Sequence, residues 1–231
     1  VGRNLGRRRG EIVRIVRGLT GLLGELLITA GAFVLLFVAW QLWWTDVVSD
    51  ADANSVVVAM EQNPESWVQP KQVKLGQAFA IVRIPRFGAD FARPLYEGTT
   101  HDVLTRGVGH YVGTALPGAV GNFAMAGHRT TYGKPFNQID KLKVADVVLI
   151  ETKDSYYVYR VTGREIVAPT QISVLLPVPN GPDTAPTQPL LTMTSCHPEY
   201  SARERYVVNG LLEAKYTHAQ GVPASVLEVS P

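Results

Sequence analysis

The chain holds one cysteine, Cys196, among 231 residues. No disulfide can close within it, so the fold must rest on a hydrophobic core rather than on covalent staples. A lone cysteine leaves three readings open: a reactive thiol, an intermolecular bridge, or a small buried hydrophobe without chemistry. Charge is also sparse, with 18% charged residues and a net charge of +2, so the overall composition favours neither an acidic nor a basic partner. There is no internal repeat and no low-complexity tract, which excludes solenoids and biased linkers. The acids of the body are scattered (Asp140, Asp146, Glu151, Asp154) rather than clustered in one loop, so no required metal and no cofactor are expected.

Hydrophobic residues are plentiful, at 46%, enough for one domain of ordinary size plus an appendage. Six arginines (3, 7, 8, 9, 14 and 17) crowd the start, with Glu11 the one acid among them. Such a run reads as a solvated tail or a nucleic-acid arm, and the adjoining segment decides between them. Residues 26–44, "LLITAGAFVLLFVAWQLWW", are almost wholly apolar and about as long as a bilayer-crossing helix. Trp40, Trp43 and Trp44 gather at one end, where indoles favour the membrane–water interface. Arginines before the run and Asp46, Asp50 and Asp52 after it place the N-terminus in the cytoplasm and the body outside. A cleaved signal peptide is the rival reading, but the run is long for one and no A-x-A-like site closes it. The expected organisation is a basic tail over 1–21, a membrane anchor over 22–44, an extracellular stalk over 45–77 and a catalytic domain over 78–231. Nucleic acid is not an expected partner.

The stalk is expected to continue as helix to about Gln62 before Pro64 and Pro70 interrupt it. From Ala78 the texture changes. "FAIVRIP", "VGNFAMAG", "DVVLIET", "YYVYRVTGREIV", "PLLTMTSC" and "RYVVNGLLEAKY" read as strands separated by Gly- and Pro-bearing turns. Short helices are expected near 102–106 and 136–142, and a proline-rich loop with one helical turn over 170–189. The fold class is all-β, a barrel or sandwich.

A cysteine nucleophile needs a base or a cationic neighbour. His197 is adjacent to Cys196, but on a continuing strand adjacent side chains face opposite ways. His101, His110 and His218 sit in polar or turn-like surroundings and read as solvated surface residues. His128 ends the apolar "NFAMAG" run, where a barrel presents residues at its rim. Arg203 and Arg205 precede "YVV"; each could hold an oxyanion or form an ordinary surface ion pair with Glu204 or Glu199.

These residues carry a resemblance. "TMTSC" (192–196), followed by an arginine and a strand, resembles the Thr-Leu-x-Thr-Cys signature of the sortases, membrane-anchored cysteine transpeptidases of Gram-positive bacteria. "AGHRTTYGKPF" (126–136) resembles that family's histidine segment, and "CHPEYSARERYVV" (196–208) resembles its class E branch, found in actinobacteria. The resemblance covers the anchor and residues 78–216. Met193 and Ser195 stand where the signature often has Leu and Thr.

The resemblance implies an eight-stranded antiparallel β-barrel behind one transmembrane helix. It implies that Cys196 is the nucleophile, His128 the acid–base residue, and Arg205 rather than Arg203 the cation. It points to Thr194 and Ser195 at the substrate and to Tyr111 at the signal's second position, although Tyr111 reads equally well as an ordinary half-buried barrel tyrosine. The implied reaction cleaves a C-terminal Leu-Ala-x-Thr-Gly or Leu-Pro-x-Thr-Gly-like sorting signal between Thr and Gly. The acyl group then passes to an amine of a cell-wall precursor or a pilin. The implied partners are secreted proteins bearing that signal, the amine acceptor and the membrane. Two rivals remain. L,D-transpeptidases use an exported cysteine in a Ser-x-Gly-Cys-like context with a histidine just upstream, both lacking in "MTSC". A non-catalytic anchored barrel that binds wall polymer or a partner protein predicts a buried, inert Cys196.

Overall fold

The computed structural model describes residues 3–229, leaving aside the side chains of 3–13, 15, 41–43, 45 and 64. Arg3, Arg7, Arg8, Arg9, Glu11, Gln41 and Trp43 therefore lie outside the described side chains. The chain divides into two units, Val1–Trp44 and Thr45–Pro231, and helix α1 (Arg3–Gln62) begins in the first and ends in the second. In the first unit Val16–Trp40 is long and apolar enough to cross a membrane, and none of it is buried. The rings of Trp40 and Trp44 stack, with centroids 6.1 Å apart.

The second unit is a closed barrel. Its strands are β1 (Ala78–Arg83), β2 (Ala92–Glu97), β3 (Val108–His110), β4 (Gly121–Ala126), β5 (Val147–Thr152), β6 (Ser155–Val167), β7 (Pro189–His197) and β8 (Glu204–Thr217). They close in the order β1-β2-β3-β4-β7-β8-β6-β5. The expected eight-stranded barrel is present, but its pairing is mixed rather than wholly antiparallel. β2 runs parallel to β3, and β4 parallel to β7. A parallel neighbour cannot be reached by a tight hairpin. The chain therefore crosses over through the short helix α2 (His101–Leu104) in one case, and through β5, β6 and the long loop before β7 in the other.

β2 and β3 were not expected as strands. "ARPLYE" carries Pro94, and "VGH" is three residues built around Gly109, so neither shows a run of alternation. Gly109 has a reason of its own: a Cβ there would lie 2.3 Å from the Gly98 carbonyl oxygen. Only glycine lets the two backbones approach so closely.

Alternation decides which side chains fill the barrel. Phe123 and Met125 on β4, Leu191 and Met193 on β7, and Tyr206 and Val208 on β8 point into one buried core with Phe79, Leu95, Ile150 and Tyr159. The intervening residues of β4, β7 and β8 therefore face outward, and the catalytic candidates are among them.

Part of the segment 45–77, read as a stalk, packs on the barrel. Val57 and Met60 of α1, with Trp67, form a buried cluster against Ile81 and Ala92 of the barrel. The Trp67 indole N–H donates to the Met60 carbonyl, and Glu61 pairs with Arg83. Burying a side chain of this size contributes about 1.5–3 kcal/mol, so these residues belong to the domain's stability.

Candidate active site

Three neighbouring strands bring the candidates together. β7 and β8 pair antiparallel with Cys196 opposite Arg205, so the two side chains emerge on the same face. β4 runs parallel to β7 with Ala126 level with Thr194. Beyond Ala126 the Gly127 N–H donates to the Thr194 carbonyl (3.2 Å), and the Ser195 hydroxyl donates to the Gly127 carbonyl (2.8 Å). Continued by two residues, this register sets His128 level with Cys196, on strands about 4.8 Å apart.

Cys196 is a free, half-buried thiol. His128 is half-buried, and its Nε2 is buried without a hydrogen-bond partner among the described residues. Burial, reinforced by the nearby His101, pushes its pKa below the ordinary histidine value. Its ring lies 5.1 Å from that of Tyr132 and 6.5 Å from that of His101. One guanidinium nitrogen of Arg205, Nη1, donates to the carbonyls of Ala202 and Glu204, both at 2.9 Å. Among the described residues its Nε and Nη2 have no partner, so two donors remain for an incoming acceptor. Arg203 is exposed, lies before β8 begins, and forms no ion pair among the described residues.

Arg205 borders a groove with Thr194, Tyr111, Val167, Val174 and Leu175. Tyr111 and Thr194 share a hydrogen bond of 3.0 Å between their hydroxyls. The proline-rich loop after β6 forms one wall. Asn122 on β4 holds it by donating to the carbonyls of Val174 and Leu176, at 3.0 and 3.1 Å. Ser195, expected at the substrate, is elsewhere: it is 3% exposed, and alternation turns it towards the Gly127 carbonyl and away from the groove. It ties β4 to β7.

One other histidine departs from expectation. His110 is 1% exposed rather than solvated. It sits on β3, stacked on Phe123, with Nδ1 2.7 Å from the Glu97 carboxylate. Its burial follows from a strand too short to read in the sequence. His101 is exposed, but its ring lies 5.6 Å from Tyr132, which places it beside the site. Because His101 is a like charge acting on His128, His101→Gln should raise the His128 titration midpoint. Burial is the larger cause of the depression and persists in the variant, so the midpoint should stay below the ordinary value. NMR titration of the ring protons reads this directly; an unchanged midpoint would show that burial alone sets it.

Arg129 was missed. It follows His128, so the expected fate of an arginine there is solvent, yet it is 4% exposed. It donates to the Cys196 carbonyl (3.3 Å) and to Nδ1 of His197 (3.0 Å), pairs with Asp140 (3.0 Å) and lies over the Tyr206 ring. An arginine only donates, so His197 Nδ1 accepts here, and that ring is committed to the side of the wall opposite the thiol. No motif marks this role. The available signal is position: the residue after an outward-facing strand end faces inward.

A family model described as "Sortase domain" matches residues 82–213. The chain is 37% identical to Sortase SrtE1 of Streptomyces coelicolor over 217 residues, covering 89% of this chain and 60% of that protein. The chain thus spans less than two thirds of that relative's length. It is 34% identical to Sortase SrtE2 of the same organism, with 90% of this chain and 87% of that protein covered. A crystal structure of Sortase E1 from Streptomyces coelicolor with a tripeptide in the active site superposes with a TM-score of 0.60 at 36% identity, over 65% of this chain and 97% of that one. The match runs from β1 through most of β8 and takes in every strand that carries a candidate residue, so the chain belongs to the sortase family.

Proposed function

We propose that the chain is a class E-like sortase, a membrane-anchored cysteine transpeptidase acting on C-terminal sorting signals. The observation that carries this reading is the convergence of Cys196, His128 and Arg205 from β7, β4 and β8 beside an open groove. The tripeptide held in the active site of the related structure supports a peptide ligand.

The Cys196 thiolate attacks the threonine carbonyl carbon, forming an S–C bond and an oxyanion. Nε and Nη2 of Arg205, without a partner among the described residues, donate to that oxygen. Collapse breaks the C–N bond, and the glycine amine leaves with a proton from imidazolium His128. The acyl group remains as a thioester. An incoming amine attacks it, neutral His128 takes the amine proton, and collapse expels the thiolate. One residue thus serves as acid and then as base. The depressed pKa of His128 favours its neutral form at rest. The acylation-competent ion pair is then a minority species, and slow turnover is expected.

The proposed signal is Leu-Ala-x-Thr-Gly or Leu-Pro-x-Thr-Gly-like, with Tyr111 and Thr194 at the groove. The proposed acceptor is a cell-wall precursor or pilin amine. The apolar Val16–Trp40 segment, with arginines before it, supports anchoring with the N-terminus inside and the barrel outside. Incubating the full chain in detergent with a panel of signal peptides and an amine should release the Gly-led fragment and yield a Thr–amine conjugate, both read by mass. A folded chain that cleaves no peptide, with Cys196 inert to alkylation, would favour the binding-only barrel. A reporter fused after Pro231 should be active only outside the cell; cytoplasmic activity would overturn the orientation.

A further inference from the structure

The loop leaving β4 after His128 holds three successive left-handed residues, Tyr132, Gly133 and Lys134, with φ of 53°, 71° and 46°. For a residue with a Cβ that conformation costs roughly 1–2 kcal/mol, so two such residues in one short run persist only where the surroundings hold them. The surroundings here come from α1, in the stretch just after Thr45. Lys134 Nζ pairs with Asp46 at 2.5 Å. Arg93 of β2 pairs with Asp50 at 2.7 Å, and the same nitrogen approaches the Gly133 carbonyl at 3.5 Å. The helix abuts the loop so closely that a Cβ on Gly133 would lie 2.7 Å from Asp50 Oδ1. The held loop in turn sets the Tyr132 ring 5.1 Å from His128 and 5.6 Å from His101.

We propose that the α1 segment carrying Asp46 and Asp50 is a clasp for the active-site loop, and that both aspartates are positioning residues acting on His128 through Lys134, Arg93 and Tyr132. Its catalytic consequence rests on the sortase reading; the clasp itself does not. Neither aspartate touches the reacting atoms. A partly exposed ion pair is by itself worth at most about 1 kcal/mol. The effect arises because the pairs, the close approach and the left-handed run coincide on one short loop.

The test is a charge exchange in the full chain, using Asp46→Lys, Lys134→Glu and the double variant, with Asp50→Asn as an independent probe. Each single change should lower kcat/KM roughly tenfold, about one pair's worth of free energy plus the released strain. The loss should fall mainly in kcat, because none of Asp46, Asp50, Lys134 and Tyr132 lines the groove beside Arg205. The double variant should recover to within about threefold of the parent, since the pair is restored in reverse. Two readouts do not depend on activity. Amide exchange at Lys134, Phe136 and Asn137, whose N–H groups bond within this loop, should quicken in the single variants and slow again in the double. The nuclear Overhauser contact between the Tyr132 and His128 rings should weaken and return in the same pattern. Loop exchange and ring contact unchanged in every single variant would overturn the proposal. So would a loosened loop with undiminished kcat, which would make the clasp structural only. Should the parent cleave no peptide, the sortase reading falls, and exchange and ring contact alone decide the clasp.

Discussion

Cys196→Ala is expected to leave no detectable cleavage and no thioester, with the barrel intact. Cys196 is the chain's one cysteine and lies opposite Arg205 on β8, and its half-buried position tolerates a smaller side chain at little cost. His128→Ala should be nearly as severe, a loss on the order of 10²–10⁴, because the leaving amine loses its acid and the entering amine its base. His197→Ala should lose less than about tenfold, a bound set by a positioning contact rather than a proton transfer. His197 accepts from Arg129 on the face opposite the thiol. All three need kcat/KM on a Leu-Ala-x-Thr-Gly peptide with saturating amine, and thermal unfolding to show that the barrel survives. An essential His197 with a dispensable His128 would mean that the acid–base assignment is wrong and that the inward face carries the chemistry.

The two arginines should separate as sharply. Arg205→Ala should cost on the order of 10²-fold or more, as expected for an oxyanion donor. Arg205→Lys should fall between, because lysine keeps the charge but cannot both brace the strand end and reach forward. The geometry gives that division of labour: Nη1 is held by the Ala202 and Glu204 carbonyls, leaving Nε and Nη2 free among the described residues. Arg203→Ala should cost less than about tenfold, as for an exposed charge, since Arg203 is exposed and outside β8. A dead Arg203→Ala beside a near-normal Arg205→Ala would reverse the assignment and leave Cys196 and His128 in place.

Alternation and punctuation carried most of the barrel. β1, β4, β5, β6, β7 and β8 are apolar runs bounded by glycine, proline or charged turns, and each was readable without neighbours. β2 and β3 were not, because Pro94 and Gly109 break the pattern and both strands exist through pairing rather than propensity. The packed segment over 45–77 escaped for a similar reason. Its prolines and polar residues read as a linker, while Met60 and Trp67 are buried by a barrel wall that the local sequence does not contain.

For this protein the sequence alone carried the apolar span, the strand-rich body and, through the resemblance of its motifs, the candidates Cys196 and His128, because those signals are local: composition, period and motif. Tertiary structure decided the rest. The parallel seating of β4 on β7 sets His128 level with Cys196, the antiparallel register of β8 sets Arg205 opposite Cys196, and the same alternation turns Ser195, Arg129 and His197 away from the groove. Strand order and register are fixed by the burial of one face of every strand at once. That is a property of the whole barrel, and no window of the chain contains it.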